Sequence, residues 1–342
     1  MNIIKRVLSL SLLFLFFSLQ LKSQCLSGTY IVGPGPNSDY THPISALMDL
    51  ESLGICGPVI LELEAGTYGI LSTIGSIPGS SATNTITIRS QSGDRDLVTL
   101  FKPDESTFWG LRLRGTQYVS FEDLSFRIRQ ENRPQGWAQV IHLRDNASHI
   151  SFKNCRFINK YTTRVQYASH FIYMREVSDI LIEGCSFEHR TTAIFKNPNT
   201  SQSKNLRIIN NTFGSMDAAI NISDIDSVFV IGNTFNLDWS YNLSCARTDY
   251  IEIKGNSFRD DVILNTVWKG NAQADNLIAN NFLQGSSLFV NSCRDFKIVY
   301  NTFNDDILSF NNSQDVEVLN NLFLGRNGRT YVNTVDDVRS KN

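Results

Sequence analysis

Nine short apolar runs along the chain each end in a turn-like pair or triplet that leads into a phenylalanine. The phenylalanines are Phe126, Phe157, Phe187, Phe213, Phe235, Phe258, Phe282, Phe303 and Phe323. The steps between them are 31, 30, 26, 22, 23, 24, 21 and 20 residues. A nearly fixed period dictates an array of stacked units. Within a unit, apolar residues alternate with others at period two, as Ile251 and Ile253 do around Glu252, which specifies strand. β-Branched and aromatic residues are frequent, and no stretch is long enough for a helix inside a unit. Strands of about 4–6 residues, about three per unit, predict an all-β chain: a right-handed parallel β-helix of about nine to eleven rungs, each rising about 4.8 Å.

The position two before each phenylalanine reads Leu124, Cys155, Cys185, Asn211, Asn233, Asn256, Asn280, Asn301 and Asn321. Six asparagines in register suit a buried bend, because Asn tolerates left-handed backbone and its amide can bond the next rung in a ladder. Cys155 and Cys185 share that column, close enough for a disulfide or simply filling it as small buried side chains. With this ladder, residues 100–342 resemble the parallel β-helix superfamily, which includes pectate lyases, chondroitinase-like lyases and polygalacturonases. The resemblance implies the fold and leaves the activity open.

Residues 1–23 read as a secretory signal: Lys5 and Arg6 precede an apolar run from Val7 to Leu21. That run is short for a transmembrane span and no other exists, so the protein is expected outside the cytoplasm, secreted or at the cell surface. A lipidated Cys25 is the minor alternative, with Gln24 against it. An exported chain can instead pair Cys25 with Cys56.

Residues 24–100 form an opening module and 101–342 the repeats. Pro43–Leu53 carries Ile44, Leu47, Met48, Leu50 and Leu53 at helical spacing, with Gly54 just past its end, and is expected to cap the solenoid. The string SGTYIVGPG, followed by SDYTHPISALMDLESLGICGPVILELEAGTY, resembles the N-terminal part of secreted β-helix proteins of Bacteroidota. Many of those end in a sorting domain, which the repeats here do not resemble, so a different export route or a longer chain is expected.

A second strand follows most phenylalanines, as in VIHLR and FIYMR. With Ile141 and Leu143 inward, His142 and Arg144 face out, and Tyr173 and Arg175 lie 31 residues later, the local period. Lys196 extends this patch if its register allows, and Arg127, Arg129, Arg133 and Trp137 are assigned to an overhanging loop. Residues 126–196 hold 11 Lys and Arg against 6 Asp and Glu, whereas 210–342 hold 10 against 16. With a net charge of −2 the chain has no global field for nucleic acid, but a basic groove on the early rungs attracts an acidic polysaccharide.

Two chemistries fit such a groove. A uronate lyase would use Tyr173 or His142 as base and Arg144 and Arg175 to neutralise the carboxylate. A non-catalytic glycan-binding or adhesive module needs no complete catalytic set, and none can be assembled, so binding is the preferred reading and the lyase the alternative. A purely structural spacer is the third. Stacked outward Arg and Tyr also serve solubility alone.

The pairs Asp260-Asp261 and Asp305-Asp306 read as turn caps, not as a glycosidase pair. No histidine has glycine neighbours, which argues against a polygalacturonase-type hydrolase. Asn221, Asn265, Asn291, Asn311 and Asn333 form a second asparagine series that is either another ladder or a row of outward amides for sugar hydroxyls. No spacing suggests zinc. Calcium is allowed by Asp224, Asp226 and the other late acidic residues, without a recognisable loop.

Overall fold

The computed structural model describes residues 25–341, apart from 104–107, 129–137, 160–168, 189–190, 199, 238–240, 269–274, 286, 306 and 326–328, and the backbone alone over 329–341. The signal-peptide reading of 1–23 therefore lies outside the described residues. The strands form three stacks visited in the same order on every rung. One rung comprises Gln139–Arg144 in the first stack, Ser148–Lys153 in the second and Arg156–Asn159 in the third. Each strand pairs in parallel with its counterpart one rung on, as Ile141 with Ile172, Ile150 with Ile180 and Phe157 with Phe187. Among the described residues the third stack holds 11 strands. The chain is a parallel β-helix.

The interior follows from the alternation. Ile251 and Ile253 are fully buried, while Glu252 between them faces out. Phenylalanine rings stack up the third sheet with centroids 4.9 Å apart for Phe126 and Phe157, 4.7 Å for Phe157 and Phe187, and 4.8 Å for Phe213 and Phe235. These separations are the inter-strand spacing itself. Offset ring stacks add to the burial of the rings, which is the main apolar contribution.

The bend between the second and third sheets carries the ladder. Asn233 donates its backbone N–H to Asn256 Oδ1 at 2.8 Å and its amide to Ile208 O at 2.8 Å. Asn211, Asn256, Asn301 and Asn321 occupy the same column.

One rung departs from the sequence reading: the ladder member there is Asn281, which accepts from the backbone N–H of Asn256 at 2.9 Å. Asn280, one place earlier, has φ of 55° and takes the left-handed position of the bend, filled elsewhere by Asn154, Gly184, Asn210, Gly232 and Gly255. Leu283 consequently takes the inward site and Phe282 is left 39% exposed. Two adjacent asparagines hid this one-residue shift.

Cys155 and Cys185 are free, buried thiols that continue the column upward. Cys185 Sγ accepts the Cys155 N–H at 3.4 Å, while Cys185 N–H bonds Asn211 Oδ1 at 2.8 Å.

The helix Pro43–Leu53 interrupts the early strands. His42 Nδ1 accepts the Ile44 N–H at 3.2 Å, and Gly54 ends the helix at φ 73° with its N–H on Leu50 O. Ala46, Leu47 and Leu50 are buried, but Met48 is 56% and Leu53 40% exposed, so the apolar stripe is narrower than the spacing predicted.

A Cys25–Cys56 disulfide ties the first two strands of the second sheet together across 31 residues. Closing a loop of that length constrains the unfolded chain, so reduction is expected to lower stability by about 3 kcal/mol. A melting curve with and without reductant measures it, and unchanged melting would show that the bridge is dispensable.

Candidate functional site

The register of the first sheet sets outward residues in three columns across the early rungs. Trp109, Gln139, His170 and Thr192 form one column, and Arg112, His142, Tyr173 and Phe195 a second. Between them two successive residues point inward: Phe171 lies 5.7 Å from the core ring of Phe157, and Ile172 is also buried. A third column begins with Arg114 and Arg144 and continues to Arg175, whose backbone N–H bonds Leu143 O. His142 and Tyr173 are thus paired across rungs, with ring centroids 4.9 Å apart.

Around them packs an aromatic cluster. His170 lies 4.4 Å from Phe195 and 5.5 Å from Tyr173, and Trp109 lies 6.4 Å from His142. The Arg112 guanidinium sits 3.1 Å above the centre of the Trp109 ring. Tyr173 Oη accepts a hydrogen bond from Asn197 Nδ2 at 2.6 Å. His142 and Tyr173 are only 5% and 7% exposed. They face away from the core, yet they are not the open surface patch that alternation alone implied.

Electrostatics set the character of the site. Burial, followed by the charges of Arg112, Arg144 and Arg175, pushes His142 down to about 3. Burial pushes His170 down to about 4. Both rings are neutral at pH 7. Neither nitrogen of His142 has a hydrogen-bond partner among the described residues, and the same holds for Arg112 Nε, Arg175 Nε and Gln139 Oε1. Buried polar atoms are normally bonded, so this concentration sets the cluster apart from the rest of the described interior.

Among the described residues the arginines have one acid. Asp145 accepts Arg114 Nε at 2.7 Å and Arg144 Nε at 2.9 Å. Burial alone would raise its carboxyl, but these hydrogen bonds outweigh that and hold it below the usual range. One carboxylate between Arg114 and Arg144, with Arg112 and Arg175 alongside, leaves the cluster net positive.

Several sequence assignments change. Lys196 pairs with Met174, while Phe195 takes the outward place beside Tyr173. Lys196 is therefore 1% exposed, and its Nζ donates to Ser201 O at 3.2 Å. Burial lowers its pKa. Arg127 belongs to the third sheet, in the strand Ser125–Ile128, with its guanidinium 5.8 Å from the Phe101 ring centre. Arg129, Arg133 and Trp137 lie outside the described residues.

Trp109, Arg112, Arg114, Gln139 and His170 are additions to the site. The strand WGLRLR carried the signal of the first three, since Arg112 and Arg114 precede His142 and Arg144 by 30 residues each.

Two of the later acids have local partners. Asp224 is engaged by Arg247 at 2.7 Å through two bonds, and Asp261 accepts the Ser287 N–H at 2.9 Å. Among the described residues no group of three or more His, Cys, Asp or Glu converges as a metal centre.

No protein-family model matches the chain, and no curated protein matches it in sequence. Solved structures do. A lacto-N-biosidase from Eubacterium ramulus superposes with a TM-score of 0.51 at 10% identity, over 91% of this chain and 67% of the other. A mannuronic acid specific polysaccharide lyase from human gut microbiota gives 0.48 at 16% identity, over 86% and 81%. A pectate lyase gives 0.39 at 13% identity, over 95% and 81%. The likeness is one of fold, and the lacto-N-biosidase superposition carries it.

Proposed function

We propose that this is an exported β-helix protein that binds an acidic polysaccharide on the outward face of its first sheet, at the rungs carrying Arg112, Arg114, Arg144 and Arg175. The observation that carries the reading is the net positive cluster with unpaired buried donors at Arg112 Nε and Arg175 Nε. Arginine forks match carboxylate and sulfate groups in two-point fashion, and a partly desolvated site strengthens such pairs. A fold shared with a lacto-N-biosidase supports a carbohydrate ligand, and the Cys25–Cys56 bridge supports an oxidising compartment outside the cytoplasm. The helix Pro43–Leu53 serves as the plug of the leading end. Rungs then stack in right-handed sense, about nine to eleven of them.

The lyase reading keeps one specific observation. Tyr173 Oη, beside His142 and next to the Arg144 and Arg175 column, is the phenol best placed to take a proton from a uronate C5. Against it stands access, because Tyr173 is 7% exposed and the arginines meet a ligand first.

Affinity electrophoresis on alginate, pectate and chondroitin sulfate gels, with ultraviolet absorbance for unsaturated uronate, separates the readings. Retention without absorbance is the expected result. New absorbance would make the protein a lyase, and silence in both with a folded protein would leave a structural rod.

A further inference from the structure

The same outward columns change chemistry along the rod. Where early rungs carry Arg112, His142 and Tyr173, later ones carry Ser244, Ile263, Phe289 and Ser309 in register. Where early rungs carry Arg114 and Arg144, later ones carry Ala246, Asn265, Asn291 and Asn311. Asn221 belongs to the first of these columns, aligned with Phe195 and Ser244, and bonds Tyr241 Oη at 2.9 Å; the second asparagine series is thus Asn265, Asn291, Asn311 and Asn333. Asn291 Nδ2 donates to Asn265 Oδ1 at 3.0 Å, which aligns the two amides and leaves each with capacity toward solvent. None of these outward positions on three successive rungs is charged.

We infer a second binding segment here, for an uncharged carbohydrate. Ile263 and Phe289 form a half-buried apolar stripe, and Asn265, Asn291 and Asn311 form an amide row directly beside it. A pyranose has an apolar face of C–H groups and an edge of hydroxyls, so it meets such a surface with its ring on the stripe and its hydroxyls on the amides. Amides both donate and accept, which suits hydroxyls and gives no preference for anions. The inference stands apart from the acidic reading, since it uses other residues and an uncharged ligand.

The test is affinity electrophoresis of the full chain on gels of hydroxyethyl cellulose, xylan and galactomannan. Retention on at least one is expected, and it should persist in about 1 M sodium chloride, where the screening length is about 3 Å. Asn291→Ala should weaken it by about fivefold, the loss of about one hydrogen bond. Asn311→Ala, at an exposed position, provides a second reading that folding does not confound. Absence of retention on all three neutral glycans overturns the inference. So does retention that Asn291→Ala and Asn311→Ala leave unchanged.

Discussion

Asn256→Ala is expected to lower the stability of the protein by about 4 kcal/mol. Asn256 is 2% exposed and ties three rungs together. Its Oδ1 accepts the backbone N–H of Asn233 at 2.8 Å and the Asn233 amide at 3.0 Å. Its Nδ2 donates to Val230 O at 2.8 Å and to Asn281 Oδ1 at 3.0 Å. Alanine leaves the Asn233 N–H buried without a partner, takes one hydrogen bond each from the Asn233 amide, Val230 O and Asn281 Oδ1, and opens a small cavity, at about 1–3 kcal/mol for the orphaned group and about 1 kcal/mol for each further bond.

Asn256→Cys should be milder, because Cys155 and Cys185 already serve this column, with the Cys185 thiol donating to Phe152 O at 3.5 Å. Thermal melting of the two variants measures the difference. Equal losses would mean that the column is filled by volume and not by hydrogen bonding.

Acid should weaken the fold through His142 and His170. In the unfolded chain both rings take up protons below about pH 6.5. In the folded protein burial holds His142 down to about 3 and His170 to about 4. Between these limits the unfolded state binds more protons, so stability is fully present above about pH 6.5 and falls as pH drops. By about pH 4.5 the loss is about 2–3 kcal/mol per histidine, or about 5 kcal/mol together.

The double variant His142→Phe, His170→Phe removes both protonation sites and should melt with a much flatter pH dependence over this range. A fall as steep as that of the unsubstituted protein would assign the acid sensitivity to carboxylates instead.

The fold was legible because it repeats. A solenoid writes each structural requirement many times, so one ambiguous rung is corrected by its neighbours. The bend shows where this fails: Asn280 and Asn281 satisfy the same residue preference, and only pairing of Phe258 with Leu283 distinguishes the left-handed position from the ladder.

The site was half legible. Period two placed His142, Tyr173, Arg144 and Arg175 on one face, but it could not show that Tyr173 and His142 would be covered by their neighbours. Nor could it place Lys196, because one residue of register exchanges Phe195 for Lys196 on the outward face. Arg112 escaped notice because its strand lies before the first phenylalanine unit, although Trp109 holds it against the same patch.

Isothermal titration with pectate and alginate oligosaccharides, comparing the protein with its Arg144→Ala, Arg175→Ala double variant, tests the central claim most directly. The account predicts binding that weakens with added salt and falls by at least about tenfold in the variant, with melting little changed. Equal affinity in both proteins, or no binding of either acidic glycan by the folded protein, would contradict it.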